Sequence, residues 1–279
     1  MAVWRAVARV LRSSADCAIS AALPADCRLC ELPLDSAHRL PVCGLCLEQL
    51  HATSRPQSSI SQTEFCSRCA TRLDAGSFAD RQDGFCEECR TDAPPFAGVI
   101  ASGEYDGLLR ELIHLLKYEA VTSVATLLAL DLADALEIAR HEMPAPLLVT
   151  AVPLFPRKQS GRGFNQSRLL AEELLKILQK RGWDVRADYD LLRRTHATRS
   201  QSELNLTQRR ANLRGVFAMT TAPGEVRDAN ILLVDDIVTT AATARQCATV
   251  LDKAGAAQIW IAAAARSQRV DVAGWGNPQ

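Results

Sequence analysis

From Phe96 onward the apolar residues follow two alternating patterns. Leu109, Leu112, Ile113 and Leu116 recur at i, i+3, i+4 and i+7, which predicts a helix over DGLLRELIHLLKYE. A second helix is predicted at about 122–141. A third, at about 165–181, has Leu170, Leu174 and Leu178 four apart and is stopped by Gly182. A fourth, about 242–254, ends at Gly255. Between the helices lie short apolar runs: GVIASGEY, LLVTAVP at about 147–153, NILLVDD at 230–236 and AQIWIAAAA. Such runs are the profile of strands buried on both faces. Strands alternating with helices predict an α/β fold with a parallel sheet and helices on both faces.

Before Phe96 the pattern is different. Large apolar residues are few outside the turns, and Pro94-Pro95 marks a junction, since proline favours extended chain before it. The division expected is an N-terminal module over 1–95, an α/β domain over 96–266 and a loose tail over 267–279. The first fourteen residues carry Arg5, Arg9 and Arg12 and no acid. They lack the apolar core of a secretory signal. A short amphipathic docking helix with Trp4, Val7 and Leu11 on one face is the expectation, in preference to an organellar targeting helix.

The N-terminal module owes its character to cysteine. Eight of the ten cysteines form four Cys-x-x-Cys pairs: Cys27/Cys30, Cys43/Cys46, Cys66/Cys69 and Cys86/Cys89. Two residues between thiolates let one tight turn offer both sulfurs to a tetrahedral ion, and two such turns complete a closed structural zinc site. Four turns suit two zinc ions. Disulfides would need an export signal, and a thioredoxin-like redox pair would be single and set in a βαβ unit. Sequential pairing (27/30 with 43/46, 66/69 with 86/89) is the simplest arrangement, an interleaved one the alternative. His38 and His51 are read as bystanders, Cys247 as a small core residue, and Cys17 has no assigned role.

Composition narrows the function classes. The 279 residues carry 32 Lys+Arg and 32 Asp+Glu, which excludes a generically basic nucleic-acid binder and an acidic tail protein. No apolar run reaches the length of a membrane span. A cytoplasmic location is expected. The balance is nevertheless local: residues 157–214 hold 14 Lys/Arg against 6 Asp/Glu, a surplus of eight positive charges. A segregated positive field suits a polyanion such as pyrophosphate or a nucleic-acid backbone.

The most informative stretch is Ile231 to Thr243. A buried strand ends in Asp235 and Asp236, and a loop of small and hydroxyl residues then opens into a helix. In open α/β sheets ligands sit at the carboxyl ends of strands, and a helix N-terminus holds phosphate. Thr239, Thr240 and Thr243 can add hydrogen bonds to that phosphate. The adjacent acids cannot cradle it. They fit ribose hydroxyls, a metal or a developing positive charge.

This stretch resembles the phosphoribosyl-pyrophosphate (PRPP) signature of type I phosphoribosyltransferases. Further segments extend the likeness: LLRELIHLLKY after Tyr105, VPLFPRKQSGRGFNQ, and LLRRTHATRSQSELNLTQRRANLRGVF. With the four leading cysteine turns, the chain is similar over about residues 20–266 to the ComF family of bacterial competence-associated proteins, GntX-like members included. The resemblance implies a type I phosphoribosyltransferase-like parallel sheet with flanking helices, preceded by a small double zinc-ribbon module. It also implies roles. Asp235 and Asp236 would hold the ribose and stabilise the sugar cation, and Thr239, Thr240, Ala241, Ala242 and Thr243 the 5′-phosphate. Arg157, Lys158, Arg162 and Gly163 would belong to the loop facing pyrophosphate, and Arg199, Gln201 and Arg209 to a hood closing over the site. Mg²⁺ would accompany PRPP. The partners implied are PRPP or a related phosphoribosyl ligand, single-stranded DNA and DNA-uptake proteins. Transfer to an unknown acceptor is one reading; a non-catalytic single-stranded-DNA or partner-binding accessory of DNA uptake, with a vestigial or regulatory PRPP pocket, is another; a PRPP-sensing regulator without turnover is a third. Two departures stand out. The family pattern has glycine where Ala241 stands, and alanine there costs about 1–2 kcal/mol if the position needs positive φ. Lys117 is followed by Tyr-Glu-Ala, where the family has a glycine shortly after the lysine.

Overall fold

The computed structural model describes residues 26–34, 41–53, 57–58, 65–66, 68–71, 73, 84–154, 163–195, 215–220 and 223–267. Strands β1 (Gln57–Ser58), β2 (Gly98–Ala101), β3 (Leu147–Ala151), β4 (Val185–Ala187), β7 (Asn230–Val238) and β8 (Gln258–Arg266) form one sheet in the order β1-β2-β8-β7-β3-β4. All neighbours pair parallel except β1, which runs antiparallel to β2. β5 (Leu192–Arg194) and β6 (Phe217–Met219) form a separate antiparallel ribbon. The helices are α1 (Gly44–Thr53), α2 (Glu87–Thr91), α3 (Gly107–Tyr118), α4 (Val124–Ile138), α5 (Gln166–Lys180) and α6 (Ala242–Lys253).

The period of two along the strands sorts the core into two layers. Leu232 and Val234 of β7 join Trp260, Ala262 and Ala264 of β8 and the apolar faces of α3, α4 and α5. Ile231 and Leu233 turn to the other face, with Ile259, Ile261 and Ala263 and the α6 residues Ala244, Cys247, Ala248 and Leu251. Both faces are covered, which is why these strands read as unbroken apolar runs.

The cysteine-rich segments lie against this sheet, one on each face. Cys27 and Cys46 are buried with Val42 and Leu50 in the α3–α4–α5 layer, whereas Cys66, Cys69 and Cys89 are buried with Leu73 and Phe96 in the α6 layer. β1 falls between them in sequence and forms the sheet's edge beside β2. On the first face His51 Nδ1 lies 3.0 Å from the buried Asp131 Oδ1 of α4.

The predicted helices and strands occur with small boundary shifts. The 122–141 helix ends at Ile138, a 3₁₀ turn following at Arg140–Glu142, and the GVIASGEY strand stops at Ala101. One difference matters for function. Asp235 and Asp236 do not end their strand, because β7 pairs with β8 as far as Val238↔Arg266. Pairing with β3 stops four residues earlier, at Ala151↔Val234. One edge of β7 is therefore left open from Asp235 onward. This is also where the connections diverge: β3 runs through α5 outward to β4, while β7 runs through α6 to β8 on its other side. Such a reversal opens a crevice at the carboxyl ends of the strands. The N-terminal fourteen residues, Cys17 and His38 lie outside the described residues.

Candidate functional site

A cavity of about 270 Å³ occupies that crevice. β7 and the loop after it supply Asp235, Asp236, Ile237, Val238, Thr239, Ala241, Ala242, Thr243 and Ala244. The β3 end supplies Val152, Pro153 and Leu154, α5 supplies Asn165, Gln166 and Ser167, and Lys117 and Arg194 complete the wall. Thr240 and Gly163 are not among the lining residues. Arg157, Lys158, Arg162, Arg199, Gln201 and Arg209 lie outside the described residues.

The two acids stand in different surroundings. Asp235 is buried; its Oδ1 accepts from Ser167 Oγ at 3.0 Å and from the Asp236 amide at 2.9 Å. Burial pushes its carboxyl up to about 7, the Asp236 charge adds to this, and Lys117 and the Ser167 hydroxyl oppose it. Asp236 carries an ion pair: Lys117 Nζ lies 2.9 Å from its Oδ2. Burial would lower the Lys117 pKa, but the charges and hydrogen bond of the acid pair raise it instead.

The threonine loop is held in an unusual backbone conformation. Ala241 has φ +54° and ψ +13°, left-handed, and α6 starts at the next residue with no side-chain cap. A left-handed residue before a helix turns successive amides toward one point, a concavity suited to an anion. Ala120, just after Lys117, also has positive φ, +56°. Ala241, where the resemblance implies glycine, and Ala120, in the turn after Lys117, therefore both occupy the left-handed region. The Thr240 hydroxyl is buried and has no partner among the described residues.

Composition and spacing alone missed Lys117, Arg194 and the start of α5. Asn165 caps α5, accepting from the amides of Ser167 and Arg168, and its Nδ2 donates to the Val152 carbonyl at 3.0 Å. Gln166 is 2% exposed, and its Nε2 has no partner among the described residues. A buried amide donor without a partner costs about 1–3 kcal/mol, which a ligand oxygen in the cavity would recover. Arg194 is pushed below the usual guanidinium range by burial, and its guanidinium lies 5.6 Å from the Phe217 ring across the β5–β6 ribbon. The signals that could have found these residues are an Asn N-cap and a lysine in the last turn of an amphipathic helix.

The eight cysteines pair sequentially. Cys27, Cys30, Cys43 and Cys46 form one group and Cys66, Cys69, Cys86 and Cys89 the other, with the sulfurs of each group within 4.8 Å of one another. The two are built alike. In each leading turn the first cysteine's carbonyl accepts an amide four residues on, Glu31→Cys27 at 2.8 Å and Ala70→Cys66 at 3.0 Å. That donor has positive φ in both, +60° and +53°. In each second pair the first cysteine precedes a helix. The amides of Leu29 and Cys43 point at Cys27 Sγ at 3.5 and 3.3 Å. In the second group hydrogen bonds from its three neighbours hold the Cys66 thiol down, while the same partner pushes Cys86 and Cys89 up. Four such sulfurs in one place share protons unless a cation joins them, and a closed tetrahedral thiolate set is the donor set of structural zinc. The residues fit the ion.

No family model matches the chain. The DNA utilization protein YhgH of Escherichia coli (strain K12) is 30% identical over 242 residues, which cover 85% of this chain and 96% of that protein. The chain belongs to the ComF family. Another similar protein, Competence protein F of Haemophilus influenzae, is 27% identical over 215 residues, 76% of this chain and 88% of that protein. Two solved structures are similar in part. An allosteric regulatory enzyme of purine biosynthesis shares 18% identity at a TM-score of 0.31 over 50% of this chain and 26% of its own. Hypoxanthine-guanine phosphoribosyltransferase from Schistosoma mansoni, in complex with IMP, shares 14% at 0.28 over 70% and 72%. The parallel sheet with flanking helices behind two four-cysteine groups is the architecture expected of a ComF member.

Proposed function

We propose that this ComF-family chain binds PRPP or a closely related phosphoribosyl ligand and serves DNA uptake or utilization. The observation that carries the reading is the junction of a left-handed Ala241, a threonine loop at a helix start, and a paired acid doublet in one cavity. The 5′-phosphate is assigned to the amides and hydroxyls of 239–243, and the ribose hydroxyls to Asp235 and Asp236. Gln166 offers a buried donor to a ligand oxygen. Mg²⁺ bound with PRPP would supply charge neutralisation to pyrophosphate. In a transfer reaction, pyrophosphate leaves C1 and positive charge develops on the sugar. Asp235 in its ionised form, held by Ser167, would face that charge. Arg157, Lys158 and Arg162 are assigned to the pyrophosphate side, and Arg199, Gln201 and Arg209 to a hood excluding water. Mutual support comes from the relatives' names, which concern DNA utilization and competence. Calorimetric titration with PRPP and Mg²⁺, followed by pyrophosphate release in the presence of candidate acceptors, tests both halves. Binding without release favours a regulatory or accessory pocket; absence of binding overturns the ligand.

A further inference from the structure

The second four-cysteine group stands closer to the threonine loop than its place in the sequence suggests. Arg266, the last residue of β8, is 2% exposed, and its Nη2 donates to the Thr71 hydroxyl. That hydroxyl lies 3.1 Å from Cys69 Sγ. A guanidinium has no acceptor atom, so the Thr71 oxygen must accept from Arg266, and its own proton is left for the sulfur. Arg266 also lies directly beside Val238, the residue before Thr239, and the Ser267 amide bonds to the Val238 carbonyl at 2.9 Å. Two further links join the same partners. Arg245, on the first turn of α6, pairs with Asp92 after α2 at 3.1 Å, and Ala241 and Ala242 share a buried cluster with Cys66, Cys69 and Cys89. The first group has no counterpart of Thr71, since Leu32 occupies the matching place after its leading turn.

We propose that Thr71 and Arg266 are positioning residues that tie the second four-cysteine group to the start of the threonine loop, so that metal held there stiffens that loop. A divalent ion among four thiolates leaves a net charge of about −2, and hydrogen bonds and a buried cation beside the sulfurs offset it. The relay runs Cys69 Sγ, Thr71 Oγ1, Arg266, β8, Val238. Among the described residues, zinc in the first group has no such route. Any effect on PRPP rests on the reading of the loop proposed above.

The test uses the full zinc-loaded chain. Zinc release to a chromophoric chelator is followed in time, with hydrogen exchange at 239–246. Thr71→Val should speed the release of one of two equivalents by about 10–100-fold, the usual scale for loss of an outer-shell partner of a metal ligand. It should also raise exchange across 239–246. Thr71→Ser, which keeps the hydroxyl, should behave as the parent. With cobalt in place of zinc, Thr71→Val should shift the sulfur-to-metal charge-transfer band. Arg266→Met should reproduce the release and exchange changes; if it fails to fold, the threonine pair still decides. Parental release in Thr71→Val, or equal acceleration of both equivalents, overturns the relay. Faster release with unchanged exchange overturns the coupling to the loop. PRPP titration of the parent is a separate arm, and its failure would remove the ligand while leaving the relay intact.

Discussion

Lys117 Nζ sits 2.9 Å from Asp236 Oδ2, joining the last turn of α3 to the exposed edge of β7. The pair is mostly buried, and Asp235 lies beside it. Lys117→Met would leave two neighbouring carboxylates with one cation fewer. Removing one partner of a buried charged hydrogen bond costs about 1–3 kcal/mol. The expected result is a stability loss of that size at unchanged denaturant slope, larger at pH 8 than at pH 5 because Asp235, whose carboxyl burial raises to about 7, is ionised at the higher pH. PRPP affinity, read by titration, should fall about tenfold or more. Unaltered stability at both pH values would mean the pair contributes nothing.

Asp235 gives a pH signature. Burial first, and then Asp236, raise its folded pKa to about 7, above the ordinary value of about 3.9 in the unfolded chain. The native state then binds the extra proton, so stability falls as pH rises from about 4 to 7 and levels off above. Asp235→Asn removes this penalty while keeping an acceptor for Ser167. It should raise Tm at pH 8 relative to the parent, at roughly 2–4 °C per kcal/mol, with little gain at pH 4. Parental PRPP affinity should climb through pH 7 as the acceptor ionises, and the Asn variant should be flat.

How much of this was legible beforehand depends on range. Each α/β element declares itself locally, through the leucines of α3 and α5 and the unbroken run of β7. The cysteine turns do so through spacing. What stayed hidden is set by contacts distant in sequence. Lys117 meets Asp236 only because α3 packs beside the β7 end. Arg266 is in outline one more strand residue, and only the pairing of β8 with β7 brings it to Thr71. The short strands β4, β5 and β6, three residues each, carry no period long enough to detect. The acids were expected at a strand end. They lie inside a strand because β8 outruns β3, a fact of register that sequence does not carry.

Ala241 and Ala120 make a matched pair for backbone strain. Both occupy the left-handed region, at a cost of about 1–2 kcal/mol relative to glycine. Glycine regains this but adds unfolded-state freedom of about 0.4–1 kcal/mol. A net gain of about 1 kcal/mol is expected for each glycine variant, about 2–4 °C in Tm. If the loop keeps this conformation whether or not a ligand is bound, the gain belongs to fold stability, and PRPP affinity should change little in Ala241→Gly. A tenfold gain in affinity without a change in Tm would mean the ligand imposes the strain.

Metal content is the plainest measurement. Purified protein should hold close to two zinc per chain, four thiolates each. Iron, or no metal after anaerobic preparation, would remove the zinc assignment. Cys30→Ser and Cys86→Ser should each lose about one equivalent, since the groups share no sulfur.

The surplus of positive charge over 157–214 can be read through salt. If the segment contacts single-stranded DNA through phosphates, each contact releases counterions, and log K falls with log salt at about 0.7 per phosphate. Replacing Arg157, Lys158 and Arg162 by alanine together should reduce that slope by about 2 and weaken binding similarly for unrelated sequences. Stacking would leave a different trace, because aromatic contacts survive salt. Aromatic residues make up only 5% of the chain, so the electrostatic share should dominate. PRPP competes for the same positive field if it binds there, and saturating PRPP should then lower DNA affinity most at low salt. DNA binding that ignores both salt and the triple substitution would place the nucleic-acid surface elsewhere on the molecule. The basic segment would then be left to pyrophosphate.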